Sequence, residues 1–181
     1  MGHPKALLDL GGETALAILV STFRKVGIAD IVAVIPPDEA IAAEAERRGA
    51  RVVRNPLAHL GRTGSLQFGW RETDVAHDIV FISVDCPLVG AGVVARILAA
   101  GPGHDIVRPT HGGRGGHPVF LASRLRSEVL ALAPDSSLRT VIHRDPARRL
   151  DLPVDSAEVL ANLNTPDDYE AARARRASAG D

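Results

Sequence analysis

Apolar residues along the chain follow two rhythms. Leu16, Leu19, Val20, Phe23 and Val26 recur at helical spacing, which predicts a helix that Thr14 caps and Gly27 ends. Short continuous runs of β-branched and aliphatic residues predict strands instead. These cover Ile31 to Ile35, Arg51 to Val53, Ile79 to Val84, Asp105 to Arg108, Val119 to Leu121 and Arg149 to Val154. Further helices are predicted between them. One starts at Asp38 and runs through Arg48, one opens at Gly61, one spans Val93 to Ala100, and two lie near Ser123 to Ala131 and Ser136 to His143. The last begins at Thr165-Pro166-Asp167-Asp168, with Thr as N-cap, Pro at the first helical position and acids in the first turn. Met1 to Gly12 reads as loop, and the small polar tail after Arg176 should fray. Strands alternating with helices imply one domain over residues 1–181, a three-layer α/β/α sandwich around a mostly parallel sheet.

The Ile79 to Val84 run organises the rest. It lacks alternation, as expected of a strand buried on both faces of a parallel sheet, and stops at Asp85-Cys86-Pro87. Asp85 therefore falls at the carboxyl end of a central strand, where open α/β sheets bind ligands. Two readings stand at even odds for a lone Asp there: a ligand-binding carboxylate, or a solvated acid capping the next helix.

Composition narrows the setting. Hydrophobic residues make up 45% of the 181 but aromatics only 3%, so Leu, Val, Ile and Ala must fill the core. A formal charge of −1 gives no electrostatic case for nucleic acid or an anionic membrane. One cysteine, Cys86, excludes an internal disulfide and suits a reducing, cytoplasmic setting. Beside the strand end, packing suits it better than nucleophilic chemistry. His111 and His117 share a glycine-rich loop, but no Cys or acid completes a zinc set at usual spacing. The only lysines are Lys5 and Lys25 in an arginine-rich chain, which points to a use for the compact Lys5 ammonium.

Four features fall on loops at the sheet's carboxyl edge. Pro4-Lys5 supplies a cation. Gly61 to Ser65 supplies amides and hydroxyls at a helix start, suited to anionic groups. Asp85 can hold Mg²⁺, which favours one or two carboxylates plus ligand phosphates. Asn162-Leu163-Asn164 supplies neutral oxygens. Singly, Lys5 can be a solvated loop lysine, the glycines a bare helix start and Asn164 a turn former.

In order along the chain stand Gly2-x-Pro-Lys5, the Gly-x-x-x-Ser-Leu-x-x-Gly of 61 to 69, Asp85-Cys-Pro-Leu, the Arg-Gly-Gly-His-Pro-Val of 114 to 119 and the Asn-x-Asn-Thr-Pro-Asp-Asp of 162 to 168. Together they resemble the nucleotidyltransferases of molybdenum-cofactor maturation, the cytidylyltransferases most closely and the guanylyltransferases behind them. The resemblance implies a Rossmann-like nucleotidyltransferase sheet across whose carboxyl edge a nucleoside triphosphate binds. A substrate phosphate then attacks the α-phosphorus and pyrophosphate leaves. Lys5 would steady the triphosphate, with Asp85 and Asn164 holding Mg²⁺. Asn55, Gly61 and Ser65 would line the nucleotide pocket, and Gly116, His117 and Pro118 would face the molybdopterin-type acceptor. Contact with a molybdoenzyme or its chaperone would follow from the same resemblance.

Three departures accompany it. Asn164 stands where many members carry Asp, and Ser137 where members often carry Gly. The family also opens with a strand and a glycine-rich LAAGxSxRMG loop, of which this chain carries only the closing Met-Gly. The expectation is a chain shortened by one strand and one loop, leaving the strands at Ile31 and Ile79 facing a gap. A nucleotidyltransferase with a sugar phosphate or other small phosphate as acceptor, and a non-catalytic cofactor-binding homologue, are the alternatives.

Overall fold

A computed structural model describes residues 4–133 and 135–178, so Gly2, with the Met-Gly it closes, and the tail beyond Ser178 lie outside the described residues. Local chemistry sets the helix ends much as the pattern predicts. Helix α1 (Ala15–Lys25) starts where the Thr14 hydroxyl accepts from the Ala17 amide at 3.1 Å, and Gly27 follows at φ 84°. Asp38 accepts from the Ala40 and Ile41 amides, both at 3.0 Å, to open α2 (Glu39–Arg47). Helix α3 (Arg62–Arg71) follows the Gly61 turn, and α4 (Ala91–Ala100), α5 (Arg126–Leu130) and α6 (Arg139–Arg144) come later. Helix α7 (Pro166–Ser178) opens with a reciprocal cap. The Asp168 amide donates to Thr165 Oγ1 at 3.1 Å, and Asp168 Oδ2 accepts from the Thr165 and Asn164 amides at 2.8 and 3.0 Å. Within the stretch expected as loop, residues 4–12 carry more structure than a plain loop: Lys5–Leu7 forms a 3₁₀ turn, and Asp9 bridges to Thr14.

Among the described residues, seven strands lie between the helices. Strand β1 (Val32–Ile35) pairs in parallel with β2 (Arg51–Arg54). Strand β3 (Ile79–Phe81) pairs antiparallel with β6 (Val119–Leu121), and β6 pairs antiparallel with β4 (Ile106–His111). Strand β4 continues through a Gly112-Gly113 turn into β5 (Arg114–Gly115), so the expected loop at 111 to 118 begins as a hairpin. Strand β7 (Arg149–Pro153) runs parallel along β4. Period-two alternation then buries both faces. Ile106, Val119 and Leu121 join Leu66 and Trp70 of α3 and Val129 of α5 in one apolar cluster. Val107 and Phe120, one position along, join Val20 and Phe23 of α1 and Val94 and Ile97 of α4 in another. This is the α/β layering that the sequence implies, with a mixed sheet. Among the described residues no helix is long and apolar enough to cross a membrane.

The organising strand departs from expectation. Only Ile79–Phe81 is strand, it is half-buried, and its partner is antiparallel. Its partner β6 starts at Val119, after a proline that has no amide to donate, so Ile82 to Val84 meet no ladder on that side. On the other side lies a gap. Strands β1 and β3 do not pair, and the sheet falls into two parts, β1-β2 and β3-β6-β4-β5 with β7 against β4. A cavity of about 560 Å³ separates them, walled by Val32, Val34, Val80 and Ile82 along its edges and by Phe23 and Trp70 across its faces.

Candidate active site

The chain past β3 turns so that Asp85 sits against the segment before α7. The Leu163 amide donates to the Asp85 main-chain carbonyl at 2.8 Å, tying positions 85 and 163 together. Cys86, fully buried, donates its thiol to Asn162 Oδ1 at 3.2 Å and lies 3.5 Å from Asp85 Oδ1. Burial, and then the adjacent Asp85 charge, push that thiol far above its ordinary pKa. Cys86 is thus a packing and positioning group, as the sequence suggests. Asn162 is anchored in turn by donating Nδ2 to the Leu160 carbonyl at 2.9 Å. Helix α4 has Gly90 as its N-cap, with no side-chain cap, so Asp85 does not serve as that helix's cap.

Lys5 arrives from the far end of the sequence. Its Nζ donates to Asn164 Oδ1 at 2.8 Å across 159 positions of chain. Arg62, at the first turn of α3, reaches within 4.0 Å of Asp85 Oδ2, its side chain 64% exposed against 14% for Asp85. The α3 N-terminus carries no side-chain cap, and Gly61 before it holds φ 131°, a backbone that favours glycine. Its first-turn amides are therefore offered without a side-chain competitor. Ser65, Lys5 and Arg62 all line the end of the interstrand cavity. Asn55 is fully buried and works behind this surface, donating Nδ2 to Ser65 Oγ at 3.1 Å while its Oδ1 accepts from the Leu57 amide at 2.9 Å. It holds Ser65 and the 55–57 turn rather than facing solvent.

The loop before β6 completes the edge. The His117 amide donates to the Val159 carbonyl at 2.9 Å, and the ring meets Phe81 edge-on with centroids 5.4 Å apart. Its Nδ1 is buried without a partner among the described residues. Pro118 is buried behind it. Gly116 packs so closely that an added Cβ would collide with the Val159 carbonyl oxygen. Because that neighbour is backbone, Gly116→Ala should cost roughly 1–3 kcal/mol and displace His117. A urea midpoint equal to that of the parent protein would contradict this.

Burial lowers the His117 pKa below its ordinary 6.5, the Arg62 charge adds to the fall, and Asp85 and the Phe81 carbonyl oppose it. The sign follows from linkage: well above pH 6.5 both folded and unfolded forms are neutral. As pH falls below that value the unfolded chain takes up a proton that the folded chain resists, so stability is lost. In metal-free buffer the urea midpoint should drop between about pH 7.5 and about pH 5.5, and drop less in His117→Gln. Equal drops would remove His117 from the account.

The structure therefore gathers Lys5, Asp85 and Asn164 at one edge, with His117 within reach of the Asp85 charge and Ser65 on the cavity rim. Arg62 joins them without having been marked by any motif. Its signal was there, since a cation in a helix's first turn opposes the dipole and wants another reason to be present. Among the described residues no three His, Cys, Asp or Glu side chains gather into a metal cage. Asp85 still fits a divalent cation, because among the described residues its carboxylate receives only a long contact from a thiol and a distant guanidinium. Asn164 offers a side-chain oxygen beside it. So small a donor set suits a metal whose remaining ligands are phosphates and water.

Solved structures that share the fold include the following three. The Mycobacterium tuberculosis H37Rv protein Rv0371c in complex with manganese is 24% identical, with 96% of this chain and 93% of that one covered and a TM-score of 0.77. Molybdopterin-guanine dinucleotide biosynthesis protein A of Archaeoglobus fulgidus is 18% identical, with 98% and 92% covered and a TM-score of 0.66. The 2-C-methyl-D-erythritol 4-phosphate cytidylyltransferase of Thermus thermophilus is also 18% identical, with 96% and 94% covered and a TM-score of 0.68. No curated protein matches the sequence. The sequence of residues 1–150 matches the MobA-like NTP transferase domain. With the α/β layering and the convergence of positions 5, 85 and 164 at one sheet edge, the chain belongs to the MobA-like NTP transferase domain family.

Proposed function

We propose that this protein is a Mg²⁺-dependent, cytoplasmic nucleotidyltransferase that moves CMP from CTP onto the phosphate of a molybdopterin-type cofactor. The observation that carries the reading is the meeting of Lys5 with Asn164 beside Asp85, from opposite ends of the chain. The acceptor phosphate oxygen forms a bond to the α-phosphorus, the bond from that phosphorus to the β-phosphate bridging oxygen breaks, and pyrophosphate departs with the electron pair. Such a transfer needs placement and charge neutralisation more than a covalent protein group.

Each side chain has a part in that. The Lys5 ammonium leaves Asn164 for the triphosphate oxygens, and Arg62 and the open first turn of α3 add positive potential nearby. Asp85 and Asn164 would hold Mg²⁺, which neutralises phosphate charge when bound. Ser65, steadied by Asn55, borders the nucleotide. His117 and the Gly116 backbone face the acceptor, and the neutral imidazole that burial favours avoids competing with Lys5 for the phosphates. Lys5→Ala should weaken triphosphate binding by about tenfold with little change in melting temperature, because a charge-assisted contact is lost at an exposed site. Equal affinity in a direct titration would take Lys5 out of the site.

The likeness to the Archaeoglobus protein supports a molybdopterin acceptor, and that to the Mycobacterium protein with manganese supports a divalent metal. A second reading keeps the donor and changes the acceptor to another small phosphate, as the likeness to the Thermus cytidylyltransferase suggests. Incubation with Mg²⁺, each triphosphate in turn and either molybdenum cofactor or a small phosphate, followed by pyrophosphate assay, decides between them. Release with CTP and molybdenum cofactor is the expected result. Release only with the small phosphate favours the second reading, and no release with any pair overturns both.

A further inference from the structure

Helix α1 has a second working face. Leu16, Val20 and Phe23 pack into the apolar cluster against the sheet, whereas Ile18, Thr22 and Lys25 follow one another at helical spacing on a different stripe. With the turn before α4, the stretch around Glu158 and the end of α7, that stripe encloses a cavity of about 290 Å³. It shares no lining residue with the cavity between β1 and β3. Its volume falls at the lower limit of ordinary small-molecule sites, so a compact ligand is the one that fits.

Three cations reach its wall, Lys25 in the last turn of α1 and Arg175 and Arg176 in the last turn of α7. Arg176 is held in place: its Nε donates to the Leu10 carbonyl at 3.1 Å and its Nη2 to Glu13 at 3.0 Å, leaving Nη1 without a described partner. Among the described residues Arg175 meets only Glu158, at 3.5 Å, and Lys25 forms no ion pair. Across the cavity Gly90 opens α4 without a side-chain cap, so the first-turn amides beside Ala91 have no side-chain competitor.

Cations in last turns answer the helix dipole and by themselves call for no ligand. Thr22 is different. It is only 9% exposed and lines the cavity, yet its hydroxyl has no hydrogen-bond partner among the described residues and is not among the sealed-off polar atoms. A valine would fill the same space without that cost, so the hydroxyl marks a place for a polar group. Ile18, Pro87 and Leu88 make the remaining wall apolar. An occupant therefore needs an anionic head and a short carbon body.

We propose that this cavity binds a small organic phosphate monoester and that its occupancy steadies the Asp85 edge. The phosphate lies among Thr22, Lys25, Arg175 and Arg176 at the α4 amino end, and the carbon body lies against Ile18 and Leu88. Phosphate suits the set better than a carboxylate, because its three free oxygens can meet hydroxyl, ammonium and guanidinium groups together. The link to Asp85 is short. Pro87 follows Asp85-Cys86 directly, and Leu163, whose amide donates to the Asp85 carbonyl, packs in one cluster with Ile18 and Leu88.

The test titrates the whole chain with butyl phosphate at physiological salt, where loose surface association is screened. Saturable binding that raises the melting temperature is expected, with inorganic phosphate and butanol each binding about tenfold more weakly or worse. Thr22→Val and Arg175→Gln should each weaken butyl phosphate by roughly fivefold or more, while Lys5→Ala should bind it as the parent does. Without ligand, Thr22→Val should melt no lower than the parent, since the hydroxyl supports nothing in the fold. With ligand, the Leu163 amide should exchange its hydrogen more slowly. Absence of binding overturns the proposal. So does butanol binding equally, which would mark an apolar hole, or inorganic phosphate binding equally, which would leave the carbon body without a role. Loss in Lys5→Ala with none in Thr22→Val would put the ligand at Asp85 instead, and a lower melting point for Thr22→Val would give its hydroxyl a structural task; either overturns the site. Unchanged exchange at Leu163 overturns the link to Asp85. None of these readouts involves nucleotide transfer, so their outcome stands apart from that of the pyrophosphate assay.

Discussion

Asp85→Asn should remove most nucleotide transfer while leaving the protein folded. The change deletes one negative charge at the place where a metal and a triphosphate would meet, and nothing else that the fold uses. The Asp85 main-chain carbonyl keeps its bond from Leu163, and asparagine retains an oxygen toward the Cys86 thiol. Because the side chain caps no helix, the substitution does not touch α4. A rate loss on the order of 10²-fold or more is expected, since a metal-binding carboxylate stabilises charge that develops at transfer. The melting temperature should move by no more than a degree or two. A normal rate would return Asp85 to the role of a solvated acid.

The largest stability effect is expected at Trp70. Its side chain is 1% exposed and packs with Leu66, Ile106, Leu121 and Val129, joining α3 to the sheet. It also forms part of the wall between β1 and β3. Trp70→Ala should cost about 3–5 kcal/mol, because the space it vacates opens onto an existing cavity that neighbours have not filled by relaxation. Against the marginal stability of ordinary domains that is a large share. The urea midpoint reads it directly. A loss below about 1 kcal/mol would mean the surrounding helices close over the gap, contrary to the packing described.

Capping chemistry made the helices legible. Thr14, Asp38 and Thr165 stand where their side chains or a neighbour's satisfy first-turn amides, and each helix begins within a residue of its cap. Local signals of that kind act over four residues and need no tertiary context. The Ile79 to Val84 run misled for the opposite reason. Six residues, apolar apart from Ser83, satisfy the hydrophobic pattern of a strand, but ladder length is set by neighbours, and a proline stops one neighbour while no second one pairs among the described residues. Lys5, Asp85 and Asn164 could be named from ordered motifs, yet only folding shows that a bond spans 159 positions to join two of them. Arg62 was hidden because its partner lies 23 residues on, at a distance of 4.0 Å that no local pattern encodes. Asn55 was visible as a polar loop residue, but its complete burial and its work on Ser65 were not.

In the function proposed above, Lys5, Asp85 and Asn164 form one metal-dependent triphosphate site. Isothermal titration of the whole chain with CTP, with and without Mg²⁺, tests it most directly when repeated on Asp85→Asn. Binding that Mg²⁺ strengthens at least tenfold in the parent protein, with no such gain in the variant, is the expected result. Binding that ignores the metal in both proteins, or an equal gain in both, would contradict it.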